Sequence, residues 1–183
     1  DFTSYTNYIG LRQGDSDFEG YVSNGDLNRN GLIDAYDVSV VATKVEGGIN
    51  EDAKSEAVAG KVILSTAKKT YNAGEEIEVI VKGTGLKGVN ALSFALPYNA
   101  KDLDYVGVEA LGMKKMENLT KDRLHTNETK ALYPTFVNLG NQETIDGNAT
   151  LFVLKFKAKQ KVTFNLKAID GFLVGKDLKT LKF

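Results

Sequence analysis

Cysteine is absent from all 183 residues, which excludes disulfides, thiol nucleophiles and thiolate-held zinc and leaves oxygen ligands for any inorganic staple. Histidine occurs once, at His125 in the polar stretch 121–130, where it reads as a solvated loop residue. Excess charge of either sign is missing too. With 23 Lys and Arg against 24 Asp and Glu, no net field draws the chain to nucleic acid or an anionic membrane. Although 42% of residues are apolar, no run approaches the roughly 18 needed for a membrane span, so no membrane insertion is expected. No basic and apolar leader opens the sequence, so an export signal is expected to have been removed or to lie upstream. Catalytic signatures are missing as well: no triad, nucleophile elbow, phosphate loop or metal–His cluster. Asp102, Asp104, Glu117 and Asp146 fall near predicted strand ends and read as turn residues rather than a glycosidase pair, so the chain is expected not to be an enzyme and no catalytic residue is assigned.

What is present divides in two. A Gly-Gly pair at Gly47 and Gly48 and the polar run that follows separate two hydrophobic patterns, giving a small unit over 1–47, a linker over 48–59 and a second unit over 60–183. In the first, Val38, Val41, Ala42 and Val45 recur at the spacing of one helix face, which predicts a short amphipathic helix right after Asp37. Residues 1–9 match 37–45 in pattern, with Phe2, Tyr5 and Ile9 falling where Val38, Val41 and Val45 fall, so they are expected to form the exit helix of an earlier copy of the repeat. Residues 12–24 read as an exposed connector. In the second unit, Ile77-Glu78-Val79-Ile80-Val81, Leu92-Ser93-Phe94-Ala95-Leu96 and Val162-Thr163-Phe164-Asn165-Leu166 alternate with the period of half-buried strands. Asn72-Ala73-Gly74, the stretch 82–88, Asp146-Gly147-Asn148 and Asp170-Gly171 punctuate them as turns, which predicts an all-β sandwich.

Between the halves of the first unit lies a calcium-type loop. Asp26-Leu27-Asn28-Arg29-Asn30-Gly31-Leu32-Ile33-Asp34-Ala35-Tyr36-Asp37 places oxygen side chains at loop positions 1, 3, 5, 9 and 12, with Gly at 6 and an apolar residue at 8. Calcium takes six to eight hard oxygens, so Asp26, Asn28, Asn30, Asp34 and Asp37 are the candidate side-chain ligands and Leu32 offers its carbonyl, for one Ca2+ site. Gly31 permits the sharp turn, Ile33 points into the small core, and Asp37 is expected both to close the cage and to open the helix. Linkage at millimolar calcium and micromolar affinity supplies about 4 kcal/mol, most of the stability of so small a unit, and favours an extracellular or cell-surface location.

Residues 25–39 resemble the second half of a type I dockerin, a duplicated EF-hand-like module of bacterial cellulosomes and surface glycoside hydrolases. Gly88-Val89-Asn90-Ala91-Leu92-Ser93-Phe94-Ala95-Leu96-Pro97-Tyr98-Asn99, followed by Leu103-Asp104-Tyr105-Val106-Gly107-Val108, is similar to a cohesin or a related carbohydrate-binding sandwich, and 152–156 resembles its late core strand. The resemblance implies a small α-helical calcium module followed by a cohesin-like jelly-roll sandwich, in a multidomain secreted bacterial polysaccharide-processing protein. Its partner would be a cohesin-like or dockerin-like module in the same chain or another. Where dockerins carry Ser or Thr before the last ligand this chain has Ala35 and Tyr36, which with Val40 and Lys44 form a possible partner surface; Tyr36 equally suits packing on its own protein. Two functions follow: assembly or domain organisation, or binding of a polysaccharide by the sandwich, for which Tyr98, Tyr105, Tyr133 and Phe172 are the candidate platform.

Overall fold

Alternation of period two carries most of the chain into strands, and the computed structural model describes residues 5–18, 20–45, 57–124 and 129–183. One sheet is antiparallel in the order β1 (Ala59–Ser65), β3 (Glu76–Val89), β10 (Ile145–Ala158) and β5 (Leu103–Ala110). A second runs β13 (Thr180–Lys182), β12 (Ile169–Val174), β4 (Ala91–Asn99), β8 (Thr129–Tyr133) and β7 (Lys121–Leu124). The first half of β4 pairs instead with β9 (Thr135–Val137), which carries β6 (Glu117–Asn118) on its far side, and β2 (Thr70–Tyr71) pairs with β11 (Val162–Thr163). Pro134 divides β8 from β9, and the Pro134 carbonyl accepts from the Phe94 amide at 3.3 Å.

Two of the predicted turns lie inside strands. The stretch 82–88 belongs to β3 and 146–148 to β10, because the two glycine-rich pieces face each other across bulges, with Leu86 opposite Gly147 and Gly83 opposite Ala149. Their side chains close the irregular ladder: Asn148 Oδ1 accepts from Gly85 N at 2.7 Å and Asp146 Oδ1 from Gly88 N at 2.8 Å. Asp170-Gly171 is likewise a register break within β12. The predicted strand 162–166 pairs only at Val162 and Thr163, since β4 has a β12 partner no further than Ala95 and Pro97 supplies no N–H beyond it.

Between the sheets the inward residues of β3, β4 and β10 form the main core. Phe152 lies between Phe94 and Phe136, with ring centroids 6.2 and 4.6 Å away, and Tyr98 meets the edge of Phe156 at 5.2 Å. Strand β4 is buried on both faces. Leu92, Phe94, Leu96 and Tyr98 enter the main core, while Ala91 and Ala95 join Ala131, Tyr133, Val137, Phe172 and Val174 in a second apolar cluster on the outer side of the same sheet. That outer layer is completed by Ile9, Leu11, Phe18, Leu32, Ile33, Ala35, Val38 and Ala42 from the N-terminal unit.

The N-terminal unit holds one α-helix of more than a single turn among the described residues, α1 (Ala35–Val45), preceded by a 3₁₀ turn at Val22–Gly25. Of the expected helix over 1–9, Tyr5 and Thr6 are helical and 7–10 form a turn, with bonds from Tyr8 N to Tyr5 O and from Ile9 N to Thr6 O and with Gly10 at φ 85° ending the segment; the rest of that expectation lies outside the described residues. Phe2 and Asp1 lie outside the described residues, as does most of the expected linker. Helix α1 also begins earlier than expected, at Ala35, and turns Ala35, Val38 and Ala42 toward the sheet. The expected connector 12–24 is not simply exposed: Phe18 is buried and Arg12 engages the sandwich.

Phe152→Ala is expected to cost about 3–5 kcal/mol in urea denaturation, because two ring stacks and a closed core are lost together. A loss below about 1 kcal/mol contradicts this description of the core.

Candidate functional site

Three aspartates carry the loop. Asp26, Asp34 and Asp37 are 8%, 3% and 0% exposed, and none forms an ion pair with a lysine or arginine among the described residues. Their oxygens organise the backbone instead. Asp26 Oδ2 accepts from Gly31 N at 2.7 Å and Oδ1 from Asn30 N at 3.1 Å; Asn30 Oδ1 accepts from Leu32 N at 3.0 Å, and Asn30 Nδ2 donates to Asp34 Oδ2 at 2.7 Å. Asp37 Oδ1 accepts from Leu27 N at 2.7 Å and Oδ2 from Asp34 N at 3.0 Å, so its carboxylate bridges the start and end of the loop. The helix is opened by Asp34, whose Oδ1 accepts from Tyr36 N at 2.9 Å, and not by Asp37 as expected. Gly31 takes φ 82°, and a Cβ there would meet only Gln13 at 3.5 Å, so backbone geometry rather than crowding favours glycine.

Burial pushes the Asp34 carboxyl up, and burial followed by the charges of Asp34 and Asp26 pushes Asp37 up. The Tyr5 hydroxyl, which donates to the Gly25 carbonyl, is raised by burial and then by Asp37, Asp34 and Asp26. Clustered, desolvated negative charge with no cationic side chain beside it suits a hard cation. Among the described residues no three acidic, histidine or cysteine side chains are grouped so as to hold a metal ion by themselves, so a divalent ion at the loop would need the amide oxygens of Asn28 and Asn30 and the Leu32 carbonyl.

The loop is tied to the segment that meets the sandwich. Leu32 bridges Arg12, Gly10 N donates to Ile33 O at 2.9 Å, and Ile33 N donates to Leu11 O at 3.1 Å. Gly10 then lies flat on Tyr133: a Cβ there would sit 2.5 Å from the ring. Arg12 stands over the same ring at 5.5 Å, donates from Nε to the Tyr133 hydroxyl at 2.8 Å and pairs with Asp170 Oδ2 at 2.8 Å. From the sandwich, Arg123 Nε donates to Ile9 O at 2.9 Å, and a second Arg123 nitrogen donates to Asn7 O. Burial lowers the Arg123 guanidinium, opposed by Tyr133, Asp15 and Asp17. Ala35 N donates to Ser93 Oγ at 3.2 Å across the same boundary.

Of the possible partner surface, Ala35 is thus buried against β4, Tyr36 is half-buried beside the second apolar cluster, Val40 is half-buried, and the Lys44 side chain lies outside those described. His125 is also outside them. Tyr98, Tyr105, Tyr133 and Phe172 form no exposed coplanar platform. Tyr98 donates to Asp122 from within the core, Tyr105 packs on Phe156, and the other two lie under the N-terminal unit. Gly10, Arg12, Ser93, Arg123 and Asp170 are contact residues that sequence reasoning missed. The outer face of β4, made only of small residues between Ala91 and Ala95, was the one signal available.

The loop unit is thus seated on the outer face of an antiparallel sandwich sheet. The chain belongs to the cohesin family, the Cohesin domain matching residues 60–179. Cohesin domains are non-catalytic modules that assemble with dockerins. Among solved structures, the second type II cohesin module of the adaptor ScaA scaffoldin of Acetivibrio cellulolyticus is 14% identical, with 69% of this chain and 85% of that chain covered at a TM-score of 0.51. The cohesin module of a Clostridium perfringens family 33 glycoside hydrolase is 15% identical, with 69% and 90% covered at 0.49. The cohesin–dockerin complex Coh-OlpC-Doc435 from Clostridium thermocellum is 14% identical, with 71% and 92% covered at 0.49. At these identities the likeness concerns the fold alone. No curated protein matches the chain.

The raised carboxyls set a pH dependence. Asp34 and Asp37 hold their protons to higher pH folded than unfolded, so the folded chain binds more protons above the ordinary carboxylate range, and that contribution to stability is lost as pH rises through the raised values. In metal-free buffer the melting temperature is expected to fall between about pH 5 and about pH 8, and Asp37→Asn to flatten that fall. An identical slope in the variant contradicts the assignment.

Proposed function

We propose that the chain is a self-docked assembly module, in which a calcium-stabilised, dockerin-like unit occupies the cohesin sheet of its own chain and organises part of a secreted bacterial polysaccharide-processing protein. The observation that carries the reading is the single apolar cluster running from Ile9, Ile33 and Val38 to Ala95, Tyr133 and Phe172 without a break. Cohesin membership supplies the docking role, and the loop residues supply the unit that docks.

Asp26, Asn28, Asn30, Asp34 and Asp37 would hold the calcium by side-chain oxygens and Leu32 by its carbonyl. An ion held there would supply positive charge to offset the carboxylates gathered in the loop. The chain's residues transmit that order outward: Leu32 and Ile33 fix 10–12 in extended form, and this sets Gly10 and Arg12 against Tyr133 and Asp170. Extracellular calcium at roughly a thousand times the dissociation constant adds about 4 kcal/mol to the docked form. An extracellular or cell-surface location follows from this dependence. No helix among the described residues is long and apolar enough to cross a membrane.

A protease site inserted between Gly48 and Ile49 tests the reading. After cutting, the two pieces are expected to co-elute in millimolar calcium and to separate in EDTA. Tyr133→Ala should weaken their association by roughly thirtyfold or more, since it removes an anchor at the centre of the contact. Pieces that separate in calcium, or stay together equally well in EDTA, contradict the calcium-supported cis contact.

A further inference from the structure

The stretch 161–168 has the alternation of a strand without its ladder. Val162, Phe164, Leu166 and Ala168 are half-buried against the main core, and Lys161, Thr163, Asn165 and Lys167 are exposed. Pairing with β2 ends where Phe164 N donates to Lys69 O at 2.7 Å, and pairing with β4 resumes only at Ile169 opposite Ala95. Between them the backbone groups of 165–167 make no hydrogen bond with the described residues. Opposite this gap, 96–99 of β4 pair with β8 on one flank only, and Pro97 has no N–H to recruit a neighbour on the other. A cleft of about 290 Å³ opens where the two segments part. Ile77 and Leu103 form its floor, Phe164 and Leu166 one wall, and Asp102 and Lys161 lie at its rim.

We propose that this cleft is a strand-addition site for an extended peptide. The peptide's backbone pairs with 165–167, its apolar side chains at alternate positions enter the cleft over Ile77 and Leu103, and acidic residues at the outward positions meet Lys161 and Lys167. Three features specify that occupant. An unpaired extended edge recognises another extended backbone through main-chain hydrogen bonds. An apolar floor beneath it selects side chains with a period of two. Lysines flanking an open edge disfavour pairing with basic strands and favour an acidic one. The site is separate from the face covered by the N-terminal unit, no described residue of which lines it.

The intact, ¹⁵N-labelled chain in calcium buffer is titrated with a pool of nonapeptides alternating Val or Ile with Glu or Thr, and with the same pool methylated on every backbone nitrogen. The unmethylated pool should slow amide exchange at Asn165 and Lys167, whose N–H groups point away from the flank that Phe164 N uses, by on the order of tenfold, and the methylated pool should leave it unchanged. The double variant Lys161→Glu, Lys167→Glu should reduce that binding by roughly tenfold while retaining the parent melting temperature. Unchanged exchange with the unmethylated pool, or equal protection by both pools, overturns strand addition; undiminished binding to the double variant overturns the acidic specificity.

Discussion

The outer face of β4 is small, and the rest of the arrangement depends on that. Ala91, Ser93 and Ala95 project from a strand whose inner face already fills the main core with Leu92, Phe94 and Leu96. Small side chains leave the sheet surface low enough for helix α1 to approach, so Ala35 reaches hydrogen-bond distance of Ser93 and Val38 and Ala42 are sealed from water. Tyr133 and Phe172, on the neighbouring strands β8 and β12, flank this depression and join the same apolar cluster. A bulky residue in place of Ala95 would lift the helix off the sheet and expose apolar surface on both partners, at the cost seen for overpacked cores.

Loop and interface are one mechanical unit. The bridge between Leu32 and Arg12, with the Gly10–Ile33 and Leu11–Ile33 bonds, makes the backbone beside the carboxylate cluster the same backbone that presents Arg12. The chain between the loop and the Tyr133 contact is therefore short and hydrogen-bonded. The interface also has its own polar register. Arg12 to Tyr133 and Asp170 from one side, and Arg123 to the carbonyls of Ile9 and Asn7 from the other, fix the orientation of a contact whose energy comes mainly from apolar burial.

Local chemistry was legible in the sequence and remote partnership was not. The spacing of Asp26, Asn28, Asn30, Gly31, Asp34 and Asp37 identifies a loop that folds back on its own carboxylates, since ligand spacing is a local property. The strands around Val79, Phe94 and Phe152 were visible for the same reason. The glycines of 82–88 and 146–148 misled because a bulge in a long strand and a turn between two short ones call for the same residues. The apolar positions of 1–9 could not show where that segment stops, which Gly10 decides, or that Leu11 then pairs with Ile33. The cover over β4 was hidden because Ala and Ser suit solvent and close approach equally, and only the partner segment, about 50 to 90 residues away, distinguishes them.

The sequence distance across the second apolar cluster has a consequence for biosynthesis. Residues 5–45 leave the ribosome well ahead of the strand that carries Phe172 and Val174, which follows roughly 130 residues later, or on the order of ten seconds at ordinary elongation rates. Until then the cover over Ile9, Leu11 and Val38 is incomplete, because β4 and Tyr133 have emerged while Phe172 and Val174 have not. The N-terminal unit, made first, is therefore the part whose apolar cluster is completed last.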